Sequence, residues 1–258
     1  MKLLVNGISG FMGREVARLA TEGYRGSSLS LGVDLVSGAY DTAPIYAGFD
    51  GVPEDAPIDC IIDFSHHSAT PALLEFAISR KIPVVVATTG HDDREIEYIR
   101  RAGEVIPVFH SANMSLGVAL LVGLARTAAL AMPDADIEIV EKHHTRKLDA
   151  PSGTALMLAD AIIEARPDAF VNCGRSGHGK RDKNEIGIHA LRLGNVVGEH
   201  EVILATGTET ITLKHEAHSR ALFAEGAIAA ADFLLGMRAG LYNMQSLIDG
   251  TSASIASV

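Results

Sequence analysis

Two imidazoles, a guanidinium and two ammonium groups lie together in the segment Glu141–Ala155, EKHHTRKLDAPSGTA, which we call the basic segment. They stand directly before Pro151–Thr154, a sequence typical of the first turn of a helix. A helix N-terminus offers backbone N–H groups and the positive end of its dipole, so this segment is suited to bind a carboxylate or a phosphate. A histidine or lysine near the bound anion could also donate a proton. The sequence therefore predicts an anion site with its own proton donor.

The rest of the chain is acidic, with a formal net charge of −10 over 258 residues. A nucleic-acid partner would require a broad basic face, so we expect none, whereas a small anion requires only a local positive field. The two cysteines, Cys60 and Cys173, lie far apart and have no zinc-ligand spacing. This pattern argues against a disulfide framework and a structural zinc, and it indicates the cytosol.

Two apolar stretches raise the question of a membrane or of export. The run at Met1–Gly7 is too short for the core of a signal peptide, so we expect no export. The stretch from Met114 to Met132 is longer, but Arg126 and two glycines interrupt it. We therefore predict a buried helix of a soluble protein and no membrane partner.

Short β-rich runs alternate with helical patterns in the N-terminal part of the chain. Such alternation predicts a parallel sheet with helices on both faces. Glycine, proline, tyrosine and aspartate dominate residues 36–57, where we expect mostly loop. The predicted strands are Lys2–Asn6, Leu29–Asp34, Ile58–Asp63, Pro83–Ala87 and Val105–Phe109, and the predicted helices are Phe11–Thr21, Thr70–Arg80 and Asp92–Ala102.

The pattern changes after Asn113, where a second unit is predicted to begin. The long apolar helix is followed by a predicted strand over 135–140, which leads into the basic segment. Later runs carry β-branched residues with glycine at the bends, which predicts an antiparallel or mixed sheet. Helix formers return over 219–237, a closing segment follows over 240–248, and we expect the tail after Gly250 to fray. The later predicted strands are Glu185–Leu193, Glu201–Ala205 and Glu209–Lys214.

Three glycines, Gly7, Gly10 and Gly13, follow the first predicted strand and open the first predicted helix. Glycines there let the backbone approach a pyrophosphate, although the spacing is not the usual G-x-G-x-x-G and a tight turn without ligand is the alternative. Asp34 ends the second predicted strand, where a carboxylate can accept from a ribose 2′-hydroxyl; an ordinary strand-end aspartate is the alternative. No Arg or Lys follows Asp34 to bind a 2′-phosphate, so we expect NADH to be preferred over NADPH or at least well accepted.

Two further strand ends, 87–90 and 111–114, carry small and hydroxyl side chains. Ligands of open parallel sheets lie outside the carboxyl ends of the strands, so these segments could pass close to a nicotinamide and bond its carboxamide. A simple turn is the alternative for each of them. The predicted cofactor-binding residues are Gly7, Ile8, Ser9, Gly10, Phe11, Met12, Asp34, Ala87, Thr88, Thr89, Ser111, Ala112, Asn113 and Met114.

The basic segment resembles the E-x-H-H-x-x-K-x-D-A-P-S-G-T-A signature of the dihydrodipicolinate reductase family, and the resemblance covers nearly the whole chain. It implies an α/β fold, in which a Rossmann-type doubly wound parallel sheet carries an inserted α+β domain for substrate binding and tetramerisation. Residues 1–113 would bind the dinucleotide, 114–220 would form the inserted domain, and 221–258 would return to the first. The other matching motifs are Gly7–Gly13, Asp63–Ser65, Thr88–Gly90, Ala112–Ser115, Glu185–Gly187, Gly198–His200, Ser219–Arg220 and Phe223–Ala224.

The same resemblance implies a function. Members of the family reduce 4-hydroxy-tetrahydrodipicolinate, the product of dihydrodipicolinate synthase, to tetrahydrodipicolinate with NADH or NADPH in lysine and diaminopimelate biosynthesis. This implies a cytoplasmic homotetramer with a small dicarboxylate substrate. By position, His143 and Lys147 would form the proton-donating pair. His144 would contact the substrate, and Gly153 and Thr154 would donate hydrogen bonds to a substrate carboxylate.

Several local interpretations stay open. One of the two adjacent histidines could be structural, and no third ligand accompanies them, so we expect no metal. Asp149 could orient Lys147 or cap the helix. His66 and His67, the latter at a position where the family commonly has proline, could lie near the nicotinamide or belong to a turn. The basic loop 174–184 could fold over the substrate or be an ordinary solvated loop.

Two other functions fit the same residues. The first is a dehydrogenase of the same fold that acts on another small dicarboxylate or on a semialdehyde. The second is a catalytically silent, NAD-responsive binding protein whose basic segment holds an anion or a partner. The first would be active without the cyclic product of dihydrodipicolinate synthase, and the second would bind the reduced cofactor without oxidising it.

Overall fold

The chain forms two compact units in a computed structural model that describes residues 1–255. The first unit combines Met1–Leu116 with the chain from Ala221 onwards, and the second unit is Gly117–Arg220. Dinucleotide binding by the first unit, and substrate binding and tetramerisation by the second, remain predictions.

The regular elements follow the alternation of the sequence. The strands are β1 (Lys2–Asn6), β2 (Ser28–Asp34), β3 (Gly38–Tyr40), β4 (Ala43–Ala47), β5 (Cys60–Asp63), β6 (Val84–Val86), β7 (Pro107–His110), β8 (Asp136–His143), β9 (Phe170–Cys173), β10 (Glu185–Arg192), β11 (Gly198–Ala205), β12 (Thr210–Ala217) and β13 (Gly240–Tyr242). The helices are α1 (Phe11–Thr21), α2 (Thr70–Arg80), α3 (Asp93–Gly103), α4 (Leu116–Ala131), α5 (Gly153–Ala165), α6 (Ala221–Leu234) and α7 (Met244–Ile255).

The first unit is built on an eight-stranded sheet with the order β13-β7-β6-β5-β1-β2-β4-β3. Its strands pair in parallel except β3, which is antiparallel to β4. Helices α2 and α3 share an apolar cluster with the sheet, whereas α1 and α6 contact each other and the sheet. Because helices cover both faces, β5 and β6 are buried along their whole length. The predicted doubly wound α/β fold is confirmed.

The region 36–57, predicted to be mostly loop, differs from the expectation because it contains β3 and β4. Strand β4 extends the sheet beside β2, and β3 folds back on it at the edge. Most of their residues are exposed or half-buried. Edge strands that are so little buried do not need alternating apolar residues, so their sequence lacks the pattern by which a strand is predicted.

The second unit contains a mixed five-stranded sheet with the order β12-β11-β8-β10-β9. Strands β8, β9 and β10 are parallel, whereas β11 is antiparallel to β8 and to β12. Helices α4 and α5 pack against one face in a single apolar cluster. On β8, Ile137 and Ile139 point into this cluster, and the period of two places Glu141 and His143 on the same buried face.

Helix α4 corrects the expectation of a buried helix over Met114 to Met132. It buries Val118, Leu121 and two alanines, but Leu120 and Leu124 are 50% and 46% exposed. The helix is apolar on all sides, so the pattern of its residues does not indicate which face packs against the sheet. None of the described helices has the length and apolar content that a membrane crossing requires.

The C-terminal part returns to the first unit. Helix α6 contacts β5, β6 and β7, and β13 adds an edge strand beside β7. Helix α7 extends to Ile255 and thus includes part of the tail that we expected to fray. The rest of that tail, 256–258, lies outside the described residues.

Candidate active site

A fully buried carboxylate, that of Glu141, lies at the centre of the second unit's polar cluster. Its Oε2 atom accepts a hydrogen bond from His143 Nδ1 at 2.5 Å. The guanidinium of Arg192, on the neighbouring strand β10, donates to both oxygens at 2.8 Å. The backbone N–H of Ser152 donates to Oε1 at 3.1 Å. One carboxylate therefore joins β8, β10 and the start of α5.

The protonation of this cluster follows from its partners. Burial alone would raise the pKa of the Glu141 carboxyl, but the hydrogen bonds from Arg192 and His143 outweigh it and hold the pKa below its ordinary value. An ionised carboxylate only accepts, so His143 Nδ1 carries a hydrogen and Nε2 is the nitrogen left to exchange a proton. A Cβ on Gly198 would lie 3.1 Å from that Nε2 atom, a tight contact, so a larger residue there would press against the ring.

Ser152 caps the N-terminus of helix α5, which confirms the predicted helix start. Its Oγ accepts from the backbone N–H of Ala155 at 3.2 Å and lies 3.0 Å from Nε2 of His200. The hypothesis that Asp149 caps the helix is therefore wrong. A Cβ built on Gly153 meets nothing within 4 Å, so the first turn of the helix can be approached.

Asp149 instead contacts Lys147, with 2.8 Å between Oδ1 and Nζ. The hydrogen bond from Lys147 holds the pKa of the Asp149 carboxyl below its usual range. The other interpretation of Asp149, that it orients Lys147, agrees with this geometry. A carboxylate bonded to one of the three ammonium hydrogens leaves two for another anion.

The loop after β8 is held by hydrogen bonds within the second unit. Arg146 donates to the side chain of Asn195 at 2.8 Å, and Thr145 donates from its backbone to Gly194. His144 has its Nε2 atom 3.4 Å from the guanidinium of Arg220. Burial lowers the pKa of His144, and the charges of Arg146 and Arg220 lower it further, so this imidazole is neutral at pH 7.

Lys142 does not belong to the predicted anion site, which corrects the opening expectation for the basic segment. Side chains alternate along β8, so Lys142 lies on the face opposite Glu141 and His143. There its ammonium contacts Glu199 at 2.9 Å. Its charge is neutralised away from the proton-donor candidates.

The glycine turn of the first unit fits a dinucleotide. Gly7 has a φ of +75°, and a Cβ there would lie 2.7 Å from the carbonyl oxygen of Phe64. A Cβ on Gly13 would lie 2.1 Å from the carbonyl oxygen of Gly7. The turn can therefore be this tight only with glycine, and bare backbone faces the position where a pyrophosphate would bind.

Asp34 lies at the edge of a cavity of about 1000 Å³ beside this turn. Its oxygens accept from the backbone N–H groups of Ser9 and Leu35, both at 2.8 Å. Burial would raise the pKa of Asp34, but these hydrogen bonds outweigh it and the pKa is lowered. The cavity is large enough for a nucleotide, and Asp50 and Glu75 also line it.

The structure brings the other predicted cofactor segments to the same end of the sheet. Ala87, Thr88 and Thr89 line a cavity of about 400 Å³ with Phe11 and Met12. A smaller one of about 190 Å³ is lined by Met12, Phe64, Ala87, Ala112, Asn113, Met114 and Phe223.

The side chains of two predicted cofactor-binding residues are engaged within the protein. The Ile8 side chain is fully buried against Gly32, so only its backbone can meet a ligand. The Ser111 hydroxyl donates to the carbonyl of Asn113 at 2.8 Å and closes a local turn.

Asp63 is a buried residue to which the sequence assigned no role. Its Oδ1 accepts from Asn6 at 2.8 Å and from the Ser65 hydroxyl at 2.6 Å, and its Oδ2 accepts from the Thr88 hydroxyl at 2.7 Å. Burial raises the pKa of Asp63 despite these bonds. The carboxylate thus joins the ends of β1, β5 and β6, and the hydroxyl hydrogen of Thr88 is committed to it.

The turn interpretation of His66 and His67 agrees with their local contacts, whereas a position near the nicotinamide stays a prediction. His66 closes a short turn by accepting from the backbone N–H of Ser68, and His67 contacts Glu95 at 2.9 Å. Both rings line the cavity that contains Thr88.

The geometry of the loop 174–184 favours the solvated-loop alternative. Arg175 contacts Glu185 and Arg181 contacts Asp136, both at the opposite end of the sheet from His143. Among the described residues, no group of three or more His, Cys, Asp or Glu side chains could hold a metal ion.

Comparison with known proteins decides the family. The family model "Dihydrodipicolinate reductase, N-terminus" matches residues 1–114, and "Dihydrodipicolinate reductase, C-terminus" matches residues 117–248. The chain belongs to the dihydrodipicolinate reductase family.

Individual relatives are similar in sequence to this chain over nearly its whole length. It is 47% identical over 250 residues to the 4-hydroxy-tetrahydrodipicolinate reductase of Caldanaerobacter subterraneus subsp. tengcongensis, covering 96% of this chain and 98% of the relative. The enzyme of the same name from Clostridium novyi is 42% identical over 250 residues with the same coverage. The solved structure of dipicolinate-bound dihydrodipicolinate reductase from Paenisporosarcina sp. TG-14 has a TM-score of 0.78 at 22% identity, over 94% of this chain and 97% of that one, a likeness of fold.

Sequence reasoning missed two residues of the cluster in this family member, Arg192 and His200. Strand pairing sets Arg192 opposite His143 and His200 opposite Glu141. The Gly198–His200 motif was a signal for His200, because it matched the family. Nothing in the spacing pointed to Arg192, which comes from a strand remote in sequence.

The buried ring of His200 predicts a loss of stability in acid. Burial, and then the charge of His143, lowers the pKa of His200 to about 4, whereas an unfolded histidine titrates near about 6.5. Between these values only the unfolded chain binds the proton. Stability present above pH ~6.5 is therefore lost as the pH falls toward ~4, by up to about 3 kcal/mol. Urea unfolding of the wild type across this range should show the loss.

The variant His200→Gln should lose less stability over the same pH range, because it has no imidazole to titrate. His178→Gln, at an exposed position in the loop 174–184, is the control and should keep the wild-type slope. A slope that is the same in His200→Gln and in the wild type would contradict the assignment.

Proposed function

We propose that this protein is an NAD(P)H-dependent oxidoreductase that reduces 4-hydroxy-tetrahydrodipicolinate to tetrahydrodipicolinate in lysine and diaminopimelate biosynthesis. One observation carries the proposal: a histidine whose Nδ1 is held by a buried carboxylate lies beside the first turn of α5, in a chain that matches the reductase family along nearly its whole length. We place the reaction in the cytoplasm, which the free thiols of Cys60 and Cys173 fit.

The second unit supplies groups that suit a dicarboxylate. The first turn of α5 offers the backbone N–H of Gly153 and the positive end of the helix dipole, and we assign the Thr154 hydroxyl to the same substrate carboxylate. Lys147 adds a positive charge, and Asp149 holds its ammonium group in place. His144 is neutral, so it contacts the substrate as a hydrogen-bonding group.

The same unit supplies the proton. The reduced nicotinamide, when bound to the first unit, supplies a hydride. The substrate loses its 4-hydroxyl group as water, and the conjugated ring that then accepts the hydride carries negative charge, which a proton must neutralise. His143 Nε2 and Lys147 Nζ form the pair that donates this proton, and the Glu141 carboxylate keeps the Nδ1 side of His143 occupied.

Replacement of either donor should slow the reaction. His143→Ala and Lys147→Ala should each lower kcat by roughly 10²–10⁴, the usual contribution of a positioned general acid. The assay couples dihydrodipicolinate synthase to the protein and follows oxidation of NADH and of NADPH. Lys180→Ala, which removes an exposed lysine from the loop 174–184, should keep the wild-type kcat.

Two results would count against this scheme. A variant that keeps the wild-type kcat would remove its residue from proton transfer. A wild-type protein that binds NADH but does not oxidise it when the synthase product is present would instead be an NAD-responsive binding protein.

We propose further that NADH is the preferred cofactor. Asp34 is ionised at the edge of the larger cavity of the first unit, and Asp50 and Glu75 add negative charge to its lining. The described lining residues of this cavity include no Arg or Lys. The 2′-phosphate of NADPH would meet negative charge there without a cation to bind it.

This charge pattern predicts a kcat/KM for NADH at least about tenfold above that for NADPH. A tenfold ratio corresponds to a difference of about 1.4 kcal/mol in transition-state stabilisation. Leu35→Arg should reduce the ratio, because Leu35 is 92% exposed and an arginine there would supply the missing cation. Initial rates with each cofactor measure both values. A hundredfold preference of the wild type for NADPH would refute the proposal.

We propose that the protein is a homotetramer in which the second unit's sheet contacts other copies. On the face opposite α4 and α5, Glu199 contacts Lys142 at 2.9 Å and Lys214 at 3.1 Å. Ile203 lies on the same face and is half-buried. Charges of both signs on one face can complement the same face of a second copy.

Sedimentation equilibrium should give a mass close to four times the 27.2 kDa of one chain. Ile203→Asp should lower this mass, because it adds an unpaired charge at the proposed contact. Val105→Asp, at an exposed position of the first unit, should leave the mass unchanged. A wild-type mass of a single chain at micromolar concentration would contradict the assembly.

A further inference from the structure

The Glu141 carboxylate connects both parts of the proposed site, the proton donor and the helix start. We propose that Glu141 is a positioning residue of the reaction, which fixes the orientation of the His143 ring and, through the same two oxygens, the first turn of α5. Its role in turnover rests on the proposed function. Its geometry rests only on contacts within the second unit.

The four hydrogen bonds to Glu141 leave it no capacity to act on a substrate directly. Oε2 accepts from His143 and Arg192, and Oε1 accepts from Arg192 and Ser152. Two acceptor positions on each oxygen are thereby filled. The carboxylate is also fully buried, so it can affect a bound ring only through the groups that it holds.

The packing around His143 leaves one orientation in which its ring fits these contacts. Gly198 lies under the Nε2 side, and the ring of His200 meets it edge to face with 5.2 Å between centroids. Turning the ring over would carry Nδ1 away from Glu141 and take from a buried carboxylate oxygen one of its two hydrogen-bond donors. The contacts therefore select the orientation in which Nε2 is available for proton transfer.

Arg192 extends this control to the second proton-donor candidate. Its guanidinium balances the Glu141 charge and also donates to the backbone carbonyl of Asp149 at 2.5 Å. Asp149 in turn contacts the Lys147 ammonium. The charged and titratable groups around His143 thus include Glu141 on its own strand, Arg192 on β10, His200 on β11, and His144 and Lys147 in the loop.

The contact with Ser152 places the anion-binding end of α5. The Ser152 N–H is bonded to Glu141, and the Ser152 hydroxyl accepts from the N–H of Ala155. These two bonds orient the first turn, whose Gly153 and Thr154 groups we assign to the substrate carboxylate. One side chain therefore sets the distance between proton donor and anion site.

The decisive variant is Glu141→Gln, which keeps the shape and removes an acceptor. The amide oxygen stays with Nη2 of Arg192 and the N–H of Ser152, so the amide NH₂ takes the place of Oε2. There it faces Arg192 Nη1 and His143 Nδ1, and it forces the hydrogen of the neutral ring to Nε2. Protonation of the ring is then opposed by a facing donor. We expect kcat to fall by roughly 10²–10⁴ while KM for NADH stays within about twofold. Nitrogen-15 NMR of the imidazoles should show the change from Nδ1–H to Nε2–H at His143.

Glu185→Gln is the matched control. Glu185 is also buried and also contacts an arginine, Arg175, at 2.6 Å, but it lies at the start of β10, where Arg192 ends the strand. The two ends are about 23 Å apart at the usual rise per residue. This variant should keep the wild-type kcat and the wild-type His143 spectrum.

The outcomes separate the two proposals. A Glu141→Gln protein with wild-type kcat and an unchanged His143 spectrum would overturn the positioning role. If this variant does not fold, the wild-type spectrum decides, because a neutral His143 with hydrogen on Nε2 and none on Nδ1 would also overturn it. Failure of the proposed function appears separately, as a wild type that does not oxidise NADH with the synthase product.

Discussion

A carboxylate removed from water must be paired. In the second unit this requirement determines which groups surround Glu141. A buried ion without partners costs several kcal/mol, and removal of one partner from a buried pair costs about 3–5 kcal/mol. Arg192, His143 and the N–H of Ser152 meet this requirement together. Strand, neighbouring strand and helix start are therefore fixed relative to one another by a single side chain.

The first unit uses a buried carboxylate in a different electrostatic setting. Asp63 is held by neutral donors from Asn6, Ser65 and Thr88, and burial raises its pKa. Glu141 has a guanidinium beside it, and its pKa is lowered. The environment alone separates the two groups. Asp63 joins strand ends near the predicted nucleotide site, whereas Glu141 lies beside a guanidinium and an imidazole.

Local patterns predicted much of this architecture. The bounds of β1, α1 and α2 agree with the predicted ones, and the glycine turn and the Ser152 helix start lie where their residues indicated. These features depend on neighbours in the chain, such as a glycine with positive φ or a hydroxyl that caps the next turn. Strands β3, β4 and β9 were missed because they are short and only partly buried, so no periodicity marks them.

By itself, the sequence determined the family, the alternation that gives the doubly wound sheet, and the basic segment as the region of chemistry. Only the tertiary structure decided which members of that segment face the site. Lys142 is turned to the opposite face of β8, and the partner of Glu141 is Arg192, which no local spacing identifies. Strand register brings residues of separate strands side by side, and this pairing depends on burial of whole faces, which a pattern of neighbouring residues does not contain.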